Sequence, residues 1–173
     1  MDTIDPFAHV PAPLRAAILA RGFEKLTAVQ EAVLSAESEG RNLRISSQTG
    51  SGKTLALGLR LASDLLPDVE KEGSTSAANG PRALLITPTR ELAVQVAAEL
   101  RWLLAQAPGV TVEVVTGGSD IVREKRALKK APAVLVGTPG RLLDHIRSRT
   151  LNCTSIRQVV LDEADRMLDM GFR

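Results

Sequence analysis

The chain has 173 residues, 22 Lys and Arg against 20 Asp and Glu, and a formal net charge of +2. That length suits one domain with a real core, and the near balance of charge excludes a polyelectrolyte that holds nucleic acid by its field alone. Hydrophobic residues at 44% exclude general disorder, and aromatics at 2% exclude a row of stacking platforms for splayed bases.

From the N-terminal end, Pro13 to Ala20 has apolar residues at helical spacing and stops before Gly22, a natural C-terminal cap. Thr27 opens a second helix to about Ser38. Leu43 to Ser46 reads as a short strand, followed by a glycine-rich turn and a helix from Lys53 to Leu66. Residues Pro67 to Pro81 change to Pro, Gly, Ser, Asn and charge, which predicts a surface loop inside the domain.

The alternation then resumes. Strands are predicted at Ala83–Thr87, Val110–Val115, Ala133–Val136 and Gln158–Leu161, which with the first makes five. Helices are predicted at Thr89–Gln106, after the Gly117-Gly118 pair, at Gly140–Ser148 and from Ala164. Strand and crossover helix in repetition predict an α/β fold with a mainly parallel sheet covered by helices on both faces. The basic run Arg123 to Lys130 contains Glu124 and reads as a solvated helix face rather than a phosphate contact.

The lone cysteine, Cys153, excludes an internal disulfide framework and lies near no partner with metal-ligand spacing. No basic region precedes an apolar run at the start, and no stretch approaches the ~20 apolar residues that span a bilayer. A cytoplasmic protein without membrane attachment is expected.

The run Ser47-Gln48-Thr49-Gly50-Ser51-Gly52-Lys53-Thr54 falls between a predicted strand and helix, where a phosphate loop belongs. Glycines let the backbone curl its N–H groups inward, and the helix N-terminus adds its dipole. Thr49, Gly50, Ser51 and Gly52 would cradle the phosphates, Lys53 would reach the β and γ positions, and the Thr54 hydroxyl would bind Mg²⁺. Ser47 stands where the strict pattern has glycine. A second strand, Val159-Val160-Leu161, ends in Asp162-Glu163. Asp162 would hold Mg²⁺ and Glu163 would orient the attacking water. An acid-rich helix N-terminus is the structural alternative. Pairing with Lys53 favours the catalytic set Lys53, Asp162 and Glu163.

Continuing as Ala164-Asp165, this strand end resembles the name-giving motif of the DEAD-box RNA helicases. Pro88-Thr89-Arg90-Glu91-Leu92-Ala93 is similar to the family's motif Ia, Gly117-Gly118 to its glycine pair, and Thr138-Pro139-Gly140-Arg141 to its motif Ib. Gly22-Phe23-Glu24-Lys25, Thr27 and Gln30 resemble its Q motif, within residues 5–33. Leu26 departs from the usual proline and Ser47 from the usual alanine.

The resemblance implies a three-layer RecA-like P-loop NTPase domain over residues 1–173, truncated after the motif II strand. It implies ATP and Mg²⁺ as ligands, with Gln30 bonding adenine and Phe23 stacking on it. The capping pattern Thr-x-x-Gln is the alternative for Gln30. Phe7 matches an upstream aromatic of the family equally with a packing role. Thr89, Arg90, Gly118, Thr138, Gly140 and Arg141 would line an RNA path that reads backbone without base specificity; singly they are turn and helix residues. A second RecA-like domain, carrying arginine fingers, would complete hydrolysis. The chain by itself is expected to be monomeric, with little turnover.

Overall fold

A computed structural model describes residues 5–35, 40–46, 52–66 and 79–172. The elements in chain order are α1 (Ala12–Ala20), α2 (Ala28–Leu34), α3 (Lys53–Leu65), β1 (Ala83–Ile86), α4 (Arg90–Leu103), β2 (Val112–Val115), α5 (Ile121–Leu128), β3 (Val134–Gly137), α6 (Pro139–Arg147), β4 (Gln158–Leu161) and α7 (Ala164–Asp169). The four strands are parallel in the order β2-β3-β1-β4.

Local chemistry accounts for the boundaries. Helix α1 enters through proline in its first turn and leaves through Gly22 at φ 76°. Its buried positions Leu14, Ala17 and Ile18 lie three and four apart on one stripe. In α4 the Thr89 side chain accepts from Leu92 N–H at 3.2 Å, capping the helix, and Ala93, Val96, Ala97, Leu100 and Leu103 form its buried face.

The register sorts side chains into two layers. Ala83, Leu85, Val134 and Val136 face the larger core, which also takes in α1, α3 and α4. Leu84 and Leu135 face the smaller core with Leu128 of α5 and Leu142 of α6. Phe7 is buried in the larger core, so its packing role is realised. The second layer thins toward β4, where Val159 and Leu161 share the side of Leu84 and Ile86 yet are more than half exposed.

One expected element is corrected. Leu43 to Ser46 joins no sheet; it borders a cavity of about 640 Å³ shared with α2. A strand exists only where a partner takes up its backbone groups. Leu43 to Ser46 finds none among the described residues. Much of the loop predicted over 67–81 lies outside the described residues. No described helix is long and apolar enough to cross a membrane.

Candidate functional site

The strands are parallel, so their C-terminal ends open on one rim of the sheet, where α/β folds bind ligands. Asp162 and Glu163 follow β4 there, Thr87 to Thr89 follow β1, Gly117 and Gly118 follow β2, and Thr138 follows β3. Lys53 and Thr54 open α3. Thr49, Gly50 and Ser51 lie outside the described residues.

Asp162 is anchored through its backbone N–H to Ile86 O at 3.0 Å. Its carboxyl is held above the ordinary 3.8, first by burial and second by the charge of Glu163. The Glu163 N–H and the Lys53 ammonium pull it the other way. The start of α3 and the end of β4, over a hundred positions apart in sequence, therefore meet closely enough for one charge to sense the other.

Glu163 turns the chain from β4 into α7 with φ 51° and ψ 47°, a left-handed conformation that is costly for a residue with a β-carbon. Its carboxylate accepts from Arg166 Nη1 at 3.2 Å, an i,i+3 pair on the surface that holds it only weakly.

Gln30 is 1% exposed. Its Oε1 accepts from Thr27 N–H at 2.9 Å, so the capping box foreseen as an alternative is present. Its Nε2 donates to Gly52 O at 3.3 Å. Gly52 has φ 85°, and a β-carbon on it would collide with Gln30 Nε2. The ring of Phe23 stacks with Trp102 of α4 at 6.3 Å and 16°, while the Arg21 guanidinium lies 4.1 Å from the Trp102 ring centre.

A groove of about 560 Å³ runs along the rim beside this site. Thr89, Arg90, Thr138, Gly140 and Arg141 all line it, as does Gly117 beside Gly118. The expected RNA-path residues are thus brought together. Sequence reasoning missed Met170 and Phe172, which line the same groove, and the acids Glu91 and Asp144 along it. It also missed Glu124 and His145, both buried beneath the groove. The signal was available: Glu124 falls four before buried Leu128 and His145 three after buried Leu142, on the inward stripes of α5 and α6.

The oxygen donors fit Mg²⁺. Asp162 and the Thr54 hydroxyl are hard ligands, and Mg²⁺ takes one or two carboxylates while phosphates and water fill its other positions. Among the described residues no group of three or more His, Cys, Asp or Glu gathers as a closed metal cage. The raised pKa of Asp162 marks a half-buried carboxylate whose charge is incompletely matched, the condition a cation relieves.

Residues 27–173 match the family model for the DEAD/DEAH box helicase. The chain is 49% identical over 151 residues to the ATP-dependent RNA helicase CshA of Listeria monocytogenes, covering 87% of this chain and 27% of that protein. It is 41% identical over 164 residues to the DEAD-box ATP-dependent RNA helicase CshA of Bacillus subtilis, covering 95% and 31%. The crystal structure of the RNA helicase Prp28 from Chaetomium thermophilum bound to ADP superposes with a TM-score of 0.80 at 36% identity, covering 94% of this chain and 39% of that one. The chain spans under a third of the length of these curated relatives.

Proposed function

This chain belongs to the DEAD/DEAH box helicase family, and on that premise we propose that it is the ATP-binding and RNA-binding half of an RNA-remodelling ATPase. The observation that carries the reading is that the Lys53 ammonium at the start of α3 lies near enough to the Asp162 carboxyl, at the end of β4, to favour its charged form. A phosphate-binding cation and a metal-binding acid converge there from two distant segments.

In this reading Lys53 neutralises the terminal phosphates of ATP, and Asp162 with Thr54 holds Mg²⁺. Bound Mg²⁺ would withdraw charge from the β and γ phosphoryl oxygens. Glu163 orients the attacking water and takes up its proton, leaving Arg166 to do so. Gln30 has a second N–H on Nε2 and a second lone pair on Oε1, the two functions an adenine edge takes up. Phe23, backed by Trp102, supplies the stacking surface.

The groove holds RNA through its sugar-phosphate backbone. Arg90 is the exposed cation in it, and Gly117, Gly118 and Gly140 permit close approach. A second domain of the whole protein would supply the arginine that stabilises the transferring phosphoryl group, worth ~10³ to 10⁵ in rate in related nucleotide enzymes. By itself this chain, a cytoplasmic monomer in this reading, binds nucleotide and turns over near background.

Calorimetric titration with ATP and Mg²⁺ tests the reading. Lys53→Ala should weaken ATP by at least about tenfold, the loss of a charge-assisted contact. Unchanged affinity in that variant would remove the phosphate site, and RNA-stimulated steady-state turnover by residues 1–173 alone would overturn the division of labour.

A further inference from the structure

Glu124 belongs to a basic run, yet its side chain is only 5% exposed. Its two oxygens gather four donors from two segments. Oε1 accepts from Thr116 N–H at 3.0 Å and from the Ser119 hydroxyl. Oε2 accepts from Arg141 Nη1 at 3.3 Å and pairs with His145 Nε2 at 2.7 Å. His145 is fully buried, and Arg141 Nη2 also reaches Ser119 O at 3.4 Å. One carboxylate therefore ties the turn after β2 to the first and second turns of α6.

The consequence for the two groove arginines differs. Arg141 is 11% exposed and its charge is matched by a buried acid. Arg90 is exposed, lies along Gly117 and Gly118, and pairs with no acid among the described residues. A guanidinium already desolvated against a carboxylate has little field left for a phosphate outside. Buried ion pairs add little net stability over apolar packing, so what this one fixes is geometry.

We propose that Arg141 is a strut rather than a phosphate ligand. Glu124, seated by His145, grips Arg141 and sets the distance between the Gly117-Gly118 turn and the start of α6, the two walls of the groove. Glu124 and Arg141 are thus positioning residues for RNA binding, and this rests on reading the groove as the RNA path.

The experiment is RNA affinity as a function of salt, by anisotropy of a fluorescein-labelled single-stranded oligouridylate, between about 50 and 200 mM KCl. Each phosphate contact to a single strand contributes ~0.7 to the slope of log affinity against log salt. Arg90→Gln should lower the slope by that amount. Arg141→Gln and Glu124→Gln should weaken binding about tenfold, as loss of charged hydrogen bonds does, with the slope unchanged. Arg141→Lys keeps the charge but not the fork, so it should not restore affinity. Fluorescent ATP-analogue affinity should match the unaltered chain in all of these variants, reporting an intact fold; if Glu124→Gln fails this check, Arg141→Gln and Arg141→Lys decide. A slope loss in Arg141→Gln, rescue by lysine, or tighter RNA binding in Glu124→Gln overturns the strut and leaves the RNA path standing. An unaltered chain that binds no RNA, or an indifferent Arg90→Gln, overturns the path and the strut together.

Discussion

Gln30 and Gly52, 22 positions apart, are joined by a hydrogen bond from the Gln30 amide nitrogen to the Gly52 carbonyl at 3.3 Å. The contact is close enough that a β-carbon on Gly52 would overlap that nitrogen. The same side chain closes the capping box of α2 through Thr27 N–H. One amide therefore locks the starts of α2 and α3 to each other.

Removing that amide should loosen both ends. Gln30→Ala loses the reciprocal cap and the tie to Gly52, costing about 1 kcal/mol in urea denaturation and weakening ATP. Gln30→Glu keeps an acceptor for Thr27 but sets a carboxylate oxygen against the Gly52 carbonyl beside the phosphates. ATP affinity by calorimetry should fall in the order unaltered, alanine, glutamate. Equal affinity in all three would show that Gln30 is a cap and nothing more.

Gly52 and Gly140 give opposite answers to the same substitution. Gly52→Ala meets a left-handed φ of 85° and the Gln30 amide, so stability should drop by roughly 1–2 kcal/mol. Gly140 sits in the first turn of α6, and a β-carbon there meets nothing within 4 Å. Gly140→Ala should be neutral or stabilising by up to about 1 kcal/mol, because it lowers the entropy of the unfolded chain. Denaturation midpoints of the two variants check the signs.

These positions also show what could be read before folding. The start of α3 at Lys53 and the acid pair after β4 are local in origin, and they stand where the spacing puts them. Leu43 to Ser46 reads as a strand because apolar and polar residues alternate there, while a strand also needs a neighbour that only the tertiary fold provides. Arg141 reads as lining the RNA path, and nothing in its own tetrapeptide announces an acid 17 positions upstream. Glu124 was absorbed into a charged run. Its spacing from Leu128 puts it on the inward stripe, but the donors that meet it there appear only once α5 lies on β2.

The Asp162 carboxyl fixes the sign of a pH effect. Its folded pKa lies above the ordinary 3.8, mainly through burial and then through Glu163. The native state therefore binds more protons than the unfolded state between those two values. Stability from this group is full below the unfolded pKa and is lost as pH rises through the folded one. Asp162→Asn removes the loss, so the unliganded variant should have the higher Tm at pH 7. The gain should shrink to nothing as pH falls to the ordinary carboxylate range. With ATP and Mg²⁺ present the order should reverse, because the variant forfeits a metal ligand. A Tm difference that is independent of pH would separate Asp162 from this linkage.

Val159 and Leu161 lead to the last expectation. They lie on β4, the end strand of the sheet order, and more than half of each is exposed on the side that α5 and α6 leave open. An edge strand with apolar, solvent-facing side chains is a template for pairing with another copy. Its outer backbone groups have no strand partner among the described residues. The chain, monomeric when dilute, should self-associate through this edge at high concentration, detectable by light scattering. Leu161→Lys places a charge where the leucine already meets water, so the denaturation midpoint should move by less than about 0.5 kcal/mol. Self-association should nevertheless fall, because each added copy would bury a lysine beside its neighbour. Scattering that does not change in the lysine variant would move the association to a different surface, and a large loss of stability would mean that Leu161 is covered in solution.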